Sequence, residues 1–103
     1  MMVRHITLWK LKDFALGNDK ATNFELSKQQ TLDLKKDFPK LVSVEVGRGF
    51  KSGPYDFDIC KVLTFESKED LAEFLASPLH EKVHAFNKEI RGERAVIDYV
   101  VED

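Results

Sequence analysis

The chain has 103 residues, 43% of them hydrophobic and 33% charged, and a net charge of −2 at pH 7. That is enough for one domain spanning 1–103, too apolar to stay disordered, and it lacks the basic excess that a nucleic-acid partner requires. No apolar run approaches the roughly 20 residues of a membrane span, and Arg4 and His5 inside a short alternating segment argue against a signal peptide. A cytoplasmic protein is expected, with neither nucleic acid nor membrane as partner.

Val3 to Leu11, rich in β-branched and aromatic residues, predicts a first strand. Lys12 to Lys20, with Gly17-Asn18-Asp19, reads as a loop. From Ala21 the pattern turns helical: Phe24, Leu26, Leu32, Leu34 and Phe38 recur among polar residues, and Pro39 stops the helix. Leu41 to Phe50 predicts a second strand, with Gly47 and Gly49 marking a bend near its end. Asp56 to Phe65 predicts a third, joined to the second as a hairpin with a long loop. The single cysteine, Cys60, lies inside it; with no internal partner it reads as a small core residue.

Ser67 is placed to cap a second helix, with Asp70 reaching back in a variant of the capping box. Leu71, Phe74 and Leu75 give that helix an apolar side. Ser77-Pro78 then restarts it, since serine favours the cap and proline the first helical position. Val83, Phe86, Asn87 and Ile90 continue the helix until Gly92 breaks it, and Ala95 to Val101 predicts the fourth strand.

The order β-α-β-β-α-β is the ferredoxin-like α+β pattern, a four-stranded antiparallel sheet with helices on one face. Alternation along the strands leaves apolar residues on both faces. Ile6 and Leu8 oppose Val3, Trp9 and Leu11; Val96 and Val100 oppose Ile97, Tyr99 and Val101; Cys60 and Val62 oppose Phe57, Ile59, Leu63 and Phe65. The face without helices therefore needs a cover, and a second copy of the chain is the expected one, giving a homodimer.

His80 falls in the first turn after the Ser77-Pro78 break. There the positive end of a helix dipole favours the neutral imidazole that a general base needs. His84 lies one turn further on, and His80-Glu81-Lys82-Val83-His84 has the letters of a zinc-hydrolase helix. The helix begins only two residues before His80 and no histidine follows His84, so no metal and no cofactor are expected. Trp9, Phe14, Phe24 and Phe38 are candidates to line a pocket between sheet and helices, while Lys35-Lys36 reads as a solvated face.

VRHITLWKLKD, VSVEVGRGF, YDFDICKVLTFESKEDLAEFLASPLHEKV and AVIDYVVED together resemble the stress-responsive A/B-barrel family of dimeric α+β barrels, over essentially the whole chain. The resemblance implies a ferredoxin-like domain that dimerises into an α/β barrel, and it implies function only weakly. In a polyketide-cyclase branch the P-x-H histidine is the base, which corresponds to His80. A strand-one histidine, here His5, lines the same pocket. The tyrosine six residues before the base is replaced here by Phe74, which has no hydroxyl; Tyr55 and Tyr99 are the available substitutes. The expected protein binds a small apolar or aromatic ligand in the sheet–helix cleft through His5, His80, Trp9, Phe24 and Phe74. The alternative is a cyclase-like or monooxygenase-like enzyme with His80 as catalytic base.

Overall fold

The structure is a computed structural model and describes residues 1–102. Its elements are β1 (Met2–Leu11), β2 (Phe14–Ala15), β3 (Asn18–Asp19), α1 (Lys20–Asp37), β4 (Leu41–Arg48), β5 (Ile59–Phe65), α2 (Lys68–Leu75), α3 (Pro78–Ile90) and β6 (Arg91–Val101). Four strands form one antiparallel sheet in the order β4-β5-β1-β6. No helix is long and apolar enough to cross a membrane.

Several boundaries differ from the sequence reading, each for a local reason. The expected loop 12–20 holds the small β2–β3 ribbon, turned by Leu16 and Gly17 at φ 52° and 77°. Asp19 caps α1 by accepting from the Thr22 N–H at 2.8 Å, so the helix starts at Lys20. The third main strand starts at Ile59 rather than Asp56, because Asp58 is held by the first strand. Its N–H donates to the Trp9 carbonyl at 2.9 Å, and its carboxylate accepts from the Leu11 N–H at 2.7 Å. Those two bonds straddle the register shift between Trp9 and Leu11. Gly92 does not break the second helical region. The helix ends at Ile90, and β6 begins with the next residue, four before the expected Ala95.

The first helix buries a different face from the one its leucines suggested. Leu26 and Leu32 are 43% and 38% exposed, while Asn23, Phe24, Ser27, Thr31 and Leu34 are buried. A helical stripe is there, but three of its five residues are polar. Ser67 caps α2 as expected, accepting from the Asp70 N–H at 3.0 Å. The Asp70 carboxylate does not reach back; it lies 3.9 Å from Lys40 Nζ. Ser77 caps α3 by accepting from the His80 N–H at 3.3 Å, with Pro78 in the first turn.

Odd-numbered residues of β1 and β5 and even-numbered residues of β6 face the helices. Two core clusters follow. Val3, Leu34, Phe38, Leu41, Leu63, Phe65, Leu71 and Phe74 form one. Trp9, Leu11, Phe24, Ile59 and Ile90 form the other. Phe38, Phe65 and Phe74 pack ring against ring with centroids 5.4–6.3 Å apart. Members of both clusters border a single cavity between sheet and helices.

Candidate functional site

The cavity has a volume of about 310 Å³. Its apolar wall comes from Leu34, Leu63, Phe74, Leu75 and Val83. Its polar wall comes from His5 and Asp98 on neighbouring strands, from His80 and His84 on α3, and from Lys61, Arg91 and Arg94.

The structure brings His5, Trp9, Phe74 and His80 to this one cavity. Phe24 is not part of it; it is buried in the second core cluster beneath the Arg48 guanidinium, 5.2 Å from the ring centroid. Phe38 packs in the first cluster, and Phe14 is exposed on the small ribbon. Tyr55 is 92% exposed, and Tyr99 belongs to the outward-facing residues of β6, so neither lines the cavity. Lys35 and Lys36 are exposed.

The two expected histidines differ in partners. His5 is paired through Nδ1 with the Asp98 carboxylate, directly across the β1–β6 ladder. His80 has no carboxylate or hydroxyl on its ring among the described residues. It packs edge-on against Phe74 with centroids 5.4 Å apart, and stacks on His84 at 5.8 Å. Partial burial, then His84 and His5, hold the His80 pKa below the ordinary value. His80 is therefore a neutral imidazole near pH 7. The stacked His80 and His84 rings do not converge on a common point. Among the described residues no group of three His, Cys, Asp or Glu side chains is arranged to hold a metal ion.

The sequence reading passed over the most unusual member of the site, Lys61. This lysine is 5% exposed. Its Nζ donates to Ser27 Oγ at 2.7 Å, and Ser27 Oγ donates to Asn87 Oδ1 at 2.8 Å, so β5, α1 and α3 meet in one polar chain. The ammonium sits 4.1 Å from the centroid of the Trp9 ring. Burial, assisted by Arg91, pushes its pKa down to about 7. One signal was available: Lys61 shares the phase of Ile59, Leu63 and Phe65, the buried face of that strand. Asp98 likewise shares the phase of Val96 and Val100. Nothing local marks Ser27 and Asn87 as its partners.

A family model described as the stress responsive A/B barrel domain matches residues 3–101. No curated protein matches the sequence significantly. Among solved structures, a dimeric protein of unknown function and ferredoxin-like fold from Bacteroides fragilis superimposes with a TM-score of 0.79 at 25% identity, over 95% of this chain and 94% of that one. A protein from Arabidopsis thaliana gives 0.84 at 22% identity, over 98% and 96%. The hydroxynitrile lyase from Passiflora edulis gives 0.81 at 18% identity, over 99% and 94%. At such identities the last two likenesses are of fold alone.

Proposed function

The chain belongs to the stress responsive A/B barrel domain family, and from the cavity it carries we propose that it is a self-associating protein that binds a small apolar or aromatic molecule between sheet and helices. The cavity carries this reading: about 310 Å³, at the low end for small-molecule sites, with one apolar wall and polar groups gathered opposite. His5, held by Asp98, and His80, kept neutral, flank the polar end. Solved neighbours described as dimeric support self-association, and on this reading the homodimer forms through the sheet face that the helices leave open.

Binding without catalysis is favoured over a cyclase-like or monooxygenase-like reaction. A base that takes a proton in the transition state needs an orienting partner. The partners of the His80 ring are the Leu75 backbone and the phenyl ring of Phe74, neither of which supplies a hydroxyl or carboxylate.

The single tryptophan, Trp9, is a built-in reporter because it lines the cavity. Titration with 1-naphthamide is expected to change its fluorescence saturably in the wild type. Val83→Phe, which narrows the cavity, is expected to weaken binding about tenfold or more. A response that never saturates, or one that Val83→Phe leaves unchanged, refutes the reading.

A further inference from the structure

One end of the cavity wall is rich in donors. Lys61 is buried with a single hydroxyl partner. Arg91 lies on the same indole, its guanidinium 5.3 Å from the Trp9 centroid. The indole Nε1–H of Trp9 is itself buried and finds no acceptor among the described residues. Arg94 stands directly across the ladder from Trp9 and also lines the cavity. The one carboxylate in the wall, Asp98, is already paired with His5.

Two basic side chains beside one ring and an unsatisfied indole N–H, with the wall's one carboxylate already taken by His5, form a site whose missing member is a negative charge. Burying an uncompensated cation and orphaning a donor both cost stability. A counter-charge supplied from outside the chain offsets both costs.

We propose that the cavity selects an organic anion, a carboxylate on a small apolar or aromatic body, with the carboxylate held by Lys61, Arg91 and the Trp9 N–H. The proposal rests on the cavity being a ligand site and adds the class of ligand. The apolar wall of Leu34, Leu63, Phe74 and Val83 takes the body of the molecule, and the donor group takes its head. The carboxylate fills the acceptor role that the chain leaves vacant around Trp9. Its charge also restores the proton that burial and Arg91 draw away from Lys61. His5 with Asp98 and His80 with His84 frame the rest of the polar wall.

The test compares 1-naphthoate with its neutral isostere 1-naphthamide by calorimetry at pH 7 on three proteins. In the wild type the carboxylate binds at least about tenfold tighter than the amide, as charge-assisted hydrogen bonds imply. In Lys61→Met the preference falls below about threefold while amide binding persists. Arg91→Gln, which leaves the buried position untouched, also lowers the preference. Equal affinities in the wild type, or an undiminished preference in Lys61→Met, overturn the assignment of an anion while the cavity remains a ligand site. If neither probe binds the wild type, the cavity reading and the anion fall together.

Discussion

At Lys61 an amine is kept where burial opposes its charge. Its unfolded value of 10.5 falls to about 7 in the fold. Between these values the unfolded chain holds a proton that the folded chain does not, so stability rises as pH climbs from 7 toward 10.5. Below pH 7 the amine is charged in both states, and the full cost of burying it remains. The Trp9 ring offsets part of that cost. Lys61→Met keeps the length of the side chain, removes the charge and leaves Ser27 donating to Asn87. Urea denaturation at pH 7 is expected to find the variant more stable than the wild type by about 1–4 kcal/mol. By pH 9.5 the gap is expected to have narrowed. A gap that stays the same at both pH values contradicts the assignment of the buried amine.

What the sequence disclosed at this scale followed distance along the chain. The Ser77 cap on the His80 N–H spans three residues, and the Ser-Pro pair announces it. The His5–Asp98 pair spans 93 residues and the Ser27–Asn87 bond 60. Only folding brings such groups together, and one strand phase at a time is the most that a sequence offers.

Among the elements, those with a strong local period were legible and those ordered by tertiary contact were not. All four strands of the main sheet and the broken helix followed from alternation and caps. The buried face of α1 did not, because Ser27 and Asn23 take inward positions that hydropathy assigns to leucine. The long β4–β5 connection shows the same dependence on distant contact. Gly49 donates from its N–H to the Asp58 carbonyl at 2.9 Å, and a Cβ at Gly49 would stand 2.2 Å from the Phe57 carbonyl oxygen. Gly47 has open space at the same position, so the two glycines of that strand end are not equivalent. Gly49→Ala must push the two arms of the loop apart. It is expected to destabilise the protein by about 1–3 kcal/mol, and Gly47→Ala by much less. Thermal melts of the two variants check this, and equal losses contradict it.

For the whole molecule the question is what the open sheet face does. Ile6 pairs with Val62 on one side and Ile97 on the other, and Leu8 pairs with Cys60 and Ala95. These rows make an apolar band across three strands. Ile97 is 57% exposed, and Phe50 and Tyr55 stand 94% and 92% exposed on the β4–β5 connection. An apolar band of this kind is the proposed contact with a second copy. Ile97→Glu places a charge in the band without touching the core. It is expected to yield monomers by light scattering at micromolar concentration with little change in melting behaviour. A dimer that survives the change places the contact elsewhere.

The sheet is a single layer, and alternate residues of its strands serve opposite sides. Lys61 faces the cavity between Cys60 and Val62, and Asp98 faces it between Ile97 and Tyr99. On the proposed reading, occupancy of the cavity and contact between copies press on opposite surfaces of one wall. A guest that shifts β5 or β6 would then be felt by the neighbouring copy, and thermodynamic linkage would make that influence mutual. The expected consequence is that dilution which separates the copies alters how tightly the guest is held, and that filling the cavity alters the concentration at which the copies part.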